Sequence, residues 1–314
     1  MTQANTHVPI HPLFSPWGRF GLFSFYLDAP EPAIIDTGVT GSPTNGMLPE
    51  LEKLGKDIRD VRWILLTHGH IDHLGGAYEL WELTGRQAKV VLHAADVPYL
   101  RSRQHHVEQY FAIRDQYIDN PRAREEQEAA AQGAISGQME PHVVVQGGET
   151  LDLGGVQVKV HHIPGHTAGS VAYEVLGQGS VFVGDSVQVH GAANGFPGYE
   201  DPDAYRASLE YLHTQVQPTN LYLGHPYRTA AGEPYGVELD PTETQQALEE
   251  SLTIEASVRS AAKAAIDAGL QDSGTLYAPF DDVATATGYT GDPRKEPSPF
   301  FTTLHGYRQL FGAA

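Results

Sequence analysis

Thr67-His68-Gly69-His70-Ile71-Asp72-His73 packs four metal-ligating side chains into a run of consecutive positions. Just before it, Val61, Trp63, Ile64, Leu65 and Leu66 read as a buried β-strand. Just after it, Gly75-Gly76 leads into Ala77-Tyr78-Glu79-Leu80-Trp81-Glu82-Leu83, a loop entering a helix. The cluster therefore sits at the C-terminal end of a strand. Neutral imidazoles and a carboxylate suit zinc, iron(II) or manganese, and two ions side by side would divide the set, His68 and His70 for one, Asp72 and His73 for the other.

Composition narrows what such a site serves. The 314 residues, 40% hydrophobic, are enough for a large core in one big α/β domain or a domain with an appendage. Twenty basic against 39 acidic residues leave a net charge of −19, which repels nucleic-acid phosphates and anionic membrane surfaces and favours a small neutral substrate. There is no cysteine, so disulfides, thiolate ligands and a Cys nucleophile are excluded and the metal site is built from N and O alone. Met1 to Pro12 lacks a basic start and an apolar segment, and no 18-residue apolar run occurs, so the expectation is a cytoplasmic protein that neither spans nor binds a membrane.

Strands are expected over Phe20 to Leu27, Ala33 to Ile35, Val90 to Leu92, Val143 to Val145, Val156 to Val160, Val171 to Leu176 and Val181 to Val183, joined by glycine-rich turns. Residues 94–141 differ: Val97, Leu100, Val107, Tyr110, Phe111, Tyr117 and Ile118 recur at roughly helical spacing, giving two helices with a break near Asn120-Pro121. This segment is a helical insertion, either a lid or wall over the site or a layer packed on the sheet, and its His105 and His106 are expected to be solvated helix residues rather than ligands. Asp240-Pro241-Thr242-Glu243 starts a helix whose apolar stripe runs through Leu248, Leu252, Val258, Ala262 and Ile266 to a stop at Gly269, and a last helix is expected from Pro299 to Phe311. The division is a catalytic domain over 1–240 and a helical C-terminal extension over 241–314, which carries no chemistry and either packs on the core or forms a homo-oligomer contact.

Three further motifs follow the histidine cluster. Pro164-Gly165-His166-Thr167-Ala168-Gly169-Ser170 sets a histidine in a tight turn between strands. Val181-Phe182-Val183-Gly184-Asp185-Ser186 ends a strand on a carboxylate, and Leu221-Tyr222-Leu223-Gly224-His225 ends another on a histidine. This order, H-x-H-x-D-H, PGHTxGS, GDS and GH, resembles the metallo-β-lactamase superfamily, specifically its dinuclear glyoxalase II-like hydrolase branch, over about residues 20 to 228.

The resemblance implies a four-layer αβ/βα sandwich with two divalent ions, zinc first and iron or manganese as alternatives, at one edge between the sheets. It implies His68, His70 and His166 as ligands of the first ion, Asp72, His73 and His225 as ligands of the second, and Asp185 as the bridge. Asp36, in Ile35-Asp36-Thr37-Gly38, resembles the superfamily's carboxylate behind the ligands, which orients imidazoles. Two ions about 3.5 to 4 Å apart bring a bridging water near a pKa of about 7. A hydroxide between the metals would then be the nucleophile, with Asp72 and Asp185 as the catalytic carboxylates. Ser170 and Ser186 are read as shaping loops rather than as nucleophiles.

Departures from better-known relatives restrict the substrate. Asp185 stands where antibiotic-hydrolysing enzymes of one class carry a cysteine ligand. Gln188 stands where related N-acyl homoserine lactonases carry a tyrosine, and residues 186–197 lack the Lys and Arg that glyoxalase II enzymes use for glutathione. His190 and Tyr227 are the polar side chains expected to meet the substrate, with the small 191–197 loop adapting to an acyl or ring substituent. The expected activity is hydrolysis of an ester-type bond, thioester or lactone, in a small molecule. Iron-dependent oxidation of the persulfide dioxygenase type and phosphodiester cleavage are the alternatives.

Overall fold

The computed structural model describes residues 7–17, 20–120, 122–192, 195–229, 231–295 and 299–312. The first half of the chain forms strands β1 (Ile10–Trp17), β2 (Phe20–Leu27), β3 (Ala33–Ile35), β4 (Trp63–Leu65), β5 (Lys89–His93) and β6 (Val143–Val145), which lie in that order in one sheet. The second half forms β7 (Thr150–Asp152), β8 (Gln157–His162), β9 (Val171–Val175), β10 (Ser180–Gly184), β11 (Asn220–Leu223) and β12 (Glu238–Leu239), a second sheet running from β12 back to β7. Helices α1 (Leu48–Lys53), α2 (Ile71–Leu74), α3 (Ala77–Leu83), α4 (Val97–Arg101), α5 (Arg103–Arg114) and α6 (Ala123–Ala134) belong to the first half. Helices α7 (Pro202–Tyr211), α8 (Pro241–Asp267), α9 (Asp281–Thr287) and α10 (Phe300–Leu310) belong to the second.

Layering follows from the period of two along each strand. In the parallel stretch β3-β4-β5, Ile35, Leu65 and Val91 stand in register and face the other sheet, while Ile34, Ile64 and Val90 face the helices. Both faces are covered, so these strands read as unbroken apolar runs. Phe182 of β10 points inward to meet Phe25 and Tyr222 at ring-centroid distances of 5.3 and 4.5 Å, and Val181 and Val183 point outward to α7, α8 and α10. Truncating Phe182 to Ala would cost about 3–5 kcal/mol through lost burial and a residual cavity. The arrangement is the expected four-layer α/β sandwich.

Some elements escape the sequence pattern. β1 carries Pro12 and Pro16, which argue against a strand, yet it is an edge strand pairing only with β2, where missing N–H groups are tolerated. The 94–141 segment holds three helical pieces rather than two, because Ser102 is extended (φ −147°, ψ 117°) and separates α4 from α5. Pro121, at the expected break, lies outside the described residues, as do the side chains of Tyr110 and Phe111. The insertion packs Val107, Ala131 and Ile135 on Ile71 of α2 and reaches α10, where Tyr117 stacks on Phe301 (5.0 Å, 6°) and its hydroxyl lies 2.9 Å from His305 Nδ1.

The helices after residue 240 pack on the second sheet. Asp240 caps α8 by accepting from Thr242 N (2.7 Å) and Glu243 N (2.9 Å), and its own backbone N–H donates to Glu243 Oε2 (3.1 Å). Such a capping box contributes roughly 1 kcal/mol through Asp240 alone. Buried Glu255 of α8 accepts from Arg206 of α7 (2.9 Å), Arg259 (2.7 Å) and Tyr307 of α10 (2.9 Å), pinning three helices together. Among the described residues no helix is long and apolar enough to cross a membrane.

Candidate metal centre

Four strand ends deliver polar side chains to one edge of the sandwich. The turn after β4 and helix α2 supply His68, His70, Asp72 and His73. The turn before β9 supplies His166, and the ends of β10 and β11 supply Asp185 and His225. Three overlapping groups result, each with its ligand atoms within 4.8 Å of one another: His68-His70-His166, His68-His73-Asp185 and Asp72-His73-His225. Asp185 stands between them, with Oδ1 3.1 Å from His73 Nε2 and Oδ2 3.5 Å from His225 Nε2 and 3.7 Å from His166 Nε2.

Backing hydrogen bonds fix which ring nitrogen is bare. His73 Nδ1 lies 2.8 Å from Asp36 Oδ2 and donates to it, leaving Nε2 as a lone pair facing His225 Nε2 at 3.3 Å. His166 Nδ1 donates to the Gly198 carbonyl at 2.6 Å, leaving Nε2 2.8 Å from His70 Nδ1 and 3.2 Å from His68 Nε2. Thr67 Oγ1 gives its proton to Asp36 Oδ2 (2.8 Å) and so accepts from His68 Nδ1 at 3.1 Å. Lone pairs converging on lone pairs repel unless a cation lies between them. Asp185 Oδ1, buried and without a hydrogen bond, adds to the demand. The donor set therefore fits divalent metal ions.

Charge separates the two sides. Burial, then the neighbouring rings, hold His68 well below its ordinary value, and burial followed by His166 takes His70 to about 3. Burial lowers His166 as well, against the opposing charge of Asp185. Burial alone would depress His73 and His225 too, but Asp185 leads the carboxylates that outweigh it and raise both rings. Asp72 and Asp185 are held low although burial works against them, chiefly by His73 for Asp72 and by His225 and His73 for Asp185.

Asp36 reaches this region from the end of β3 in a left-handed conformation (φ 59°) that Asp tolerates better than most residues. Its Oδ1 accepts from Thr67 N (2.8 Å) while Oδ2 serves Thr67 Oγ1 and His73, so one buried carboxylate braces both halves of the histidine cluster. Tyr227 is fully buried beside His225, rings perpendicular at 5.9 Å. Its hydroxyl lies near Asp185 without a well-formed hydrogen bond, and burial followed by that carboxylate pushes the phenol well above its ordinary range.

His190 behaves differently. Its backbone N–H donates to the Arg228 carbonyl, and burial lowers its ring against the opposing charge of Glu250 on α8. Of the adjacent loop, Ala193 and Asn194 lie outside the described residues. His106 is not solvated as expected but buried, its Nε2 3.0 Å from the Tyr99 carbonyl, and burial lowers it to about 4. Ser170 Oγ accepts from Thr167 N (3.0 Å) within its own turn. Gln188 holds its surroundings through Nε2 to the Asp185 carbonyl (2.7 Å) and by accepting from Gly198 N (2.7 Å), so it too is spent on the loop.

Two supports have no motif to announce them. Asp96 is a buried acid beside the 67–73 and 164–170 turns. The C-terminal helices, expected to pack on the core or form a subunit contact, also support the site: Thr303 of α10 donates to the Pro197 carbonyl (2.8 Å) and accepts from Tyr199 N (3.1 Å), clamping the shelf whose Gly198 carbonyl orients His166. A carbonyl acceptor carries no residue signature, so only the need of His166 for a backing partner could have hinted at it.

A family model of the metallo-beta-lactamase superfamily matches residues 25–226. A protein called hydroxyacylglutathione hydrolase from Synechococcus sp. (strain JA-3-3Ab) is 29% identical over 205 residues, 65% of this chain and 64% of that one, so the chain spans under two thirds of that relative's length. Another of the same name from Hyphomonas neptunium is 27% identical over 249 residues, 78% of each chain. Among solved structures, a metallo-beta-lactamase family protein from Thermus thermophilus aligns over 97% of this chain and 94% of that one with TM-score 0.66 and 21% identity, a likeness of fold. A protein solved in a di-iron-bound form aligns over 74% of this chain and 96% of that one with TM-score 0.50 and 25% identity.

Proposed function

The chain belongs to the metallo-β-lactamase superfamily, and on that premise we propose that it is a dinuclear metal-dependent hydrolase cleaving an ester-type bond, thioester or lactone, in a small molecule. The observation that carries this reading is the pair of ligand groups flanking Asp185, with bare ring nitrogens facing one another across each group. His68, His70 and His166 would hold one ion, Asp72, His73 and His225 the other, and Asp185 would touch both. Two bound ions would supply Lewis acidity for the substrate's carbonyl and a water acidic enough to ionise near neutral pH.

The chain's own groups do the rest. Asp72 Oδ2, 3.1 Å from His225 Nε2, has a second oxygen available to accept a hydrogen bond from the attacking water and aim it. Asp36 and the Gly198 carbonyl hold His73 and His166 in the tautomers that leave the inner nitrogens free. Tyr227, with an unspent hydroxyl beside Asp185, is the donor for the substrate oxygen on which charge develops. His190, in the loop after β10, is the second polar side chain proposed to meet the substrate.

Relatives named hydroxyacylglutathione hydrolase support a thioester among the substrates, while the missing basic residues over 186–197 argue against the glutathione moiety itself. The di-iron-bound relative keeps iron beside zinc and manganese as the metal, and with it the oxidative alternative. The test is a panel of neutral aryl esters, thioesters and lactones with zinc-, manganese- and iron-loaded protein, beside a chelated control and an oxygen electrode. Chelator-sensitive hydrolysis without oxygen uptake is expected. Stoichiometric oxygen consumption with a thiol or persulfide and no ester cleavage would replace this reading with the dioxygenase one.

A further inference from the structure

The three rings of the first half-site come from two separate turns: residues 67–73 carry His68 and His70, and residues 164–170 carry His166. A single carboxylate joins those turns. Asp96 Oδ2 accepts from Gly69 N (2.7 Å), between the two ligands of one turn, and from Thr167 Oγ1 (2.7 Å), next to the ligand of the other. Its Oδ1 accepts from Gly169 N (2.9 Å). Asp96 occupies the N-cap position of α4 yet makes no side-chain capping bond there, so the helix behind it does not account for a carboxyl group at this position. It is 1% exposed, and a buried carboxylate is tolerated only when donors surround it; here all three come from the ligand turns. The approach is tight, since a Cβ on Gly169 would collide with Asp96 and one on Gly69 would sit 2.5 Å from Tyr99 Cδ2.

We infer that Asp96 is the positioning residue of the first half-site, setting the separation between the His68-His70 pair and His166 without touching an ion. The inference rests on the dinuclear reading above. An amide cannot replace this carboxylate, because whichever oxygen becomes an NH2 then faces a backbone N–H that donated to it, Gly169 N on one side or Gly69 N on the other. Asp36 plays no such part for His166, as its bonds end at Thr67 and His73.

Chelator-competition titration of cobalt(II) into metal-free wild type, D96N, T167V and T167S tests it, with the visible spectrum separating the three-imidazole half-site from the one containing Asp72. In D96N the first half-site should weaken about 10–100-fold while the second keeps its affinity. T167V should show a smaller loss of the same kind, and T167S, which keeps the hydroxyl, should restore wild-type binding. If D96N does not fold, the T167V and T167S pair decides alone. Unchanged first-site affinity, or equal weakening of both half-sites, overturns the inference while two ions in the wild type leave the dinuclear reading intact. A wild type that binds fewer than two ions overturns both.

Discussion

Around His68, His70 and His166 the protein presents three imidazoles backed by a threonine hydroxyl and a main-chain carbonyl, whereas around Asp72, His73 and His225 it presents a carboxylate and two imidazoles backed by a second carboxylate, Asp36. The first group is tuned by burial, which keeps its rings neutral, and the second by charge, which attracts whatever cation is present, proton or metal. Two adjacent half-sites of one family can thus be held by different physics. The shape of the first depends on hydrogen bonds that tie turns together, while the second depends on the balance of carboxylates. Asp185 is the group they share.

Removing that shared group should have the largest effect. Asp185→Ala should weaken at least one metal and cut turnover by more than about 100-fold, beyond what loss of an outer partner costs. Metal content and steady-state rates measured together check this. Retention of both ions and most of the activity would mean that the half-sites are not joined through Asp185.

Acid should separate them. His73 and His225 are raised, so protons compete for the second half-site at higher pH than for the first, where His68, His70 and His166 are lowered and take up protons only in stronger acid. As pH falls from about 8 to 5, the second ion should leave first, its affinity dropping about tenfold per pH unit for each proton taken up. Equilibrium dialysis at stepped pH reads the order, and earlier loss of the first ion would reverse the comparison.

Asp36→Asn should act mainly on the second half-site, about 10–100-fold in metal affinity, because an amide NH2 facing His73 Nδ1 favours the wrong tautomer. A smaller effect on the first is expected through Thr67 and His68. Cobalt spectra of D36N resolve the two, and a loss confined to the first half-site would contradict the assignment of Asp36.

Tyr227→Phe should be the mildest. The hydroxyl has no hydrogen bond to lose in the free protein, so metal content should be unchanged and thermal stability kept or slightly raised. Turnover should fall about tenfold, the worth of one hydrogen bond to a developing charge. Full activity in Y227F would remove Tyr227 from the substrate.

The contrast also explains what could be read from the amino acids. Side chains that must face a cation cannot be replaced by other residue types, so the seven candidate ligands stand out at strand ends, and continuous runs such as Trp63 to Leu65 mark strands covered on both faces. β1 hides behind Pro12 and Pro16 because the tolerance of an edge depends on neighbours, not on the segment itself. Thr303 hides because its partners are backbone groups that any residue would offer, and Asp96 because two of its three partners are.

The proposed dinuclear centre predicts two ions per chain, and counting them is the most direct test. The protein should be loaded with excess zinc, freed of loosely bound metal by gel filtration and analysed for metal per chain near pH 8. The account predicts a value close to two. A stoichiometry that stays at one under metal excess, with full hydrolytic activity, would contradict it.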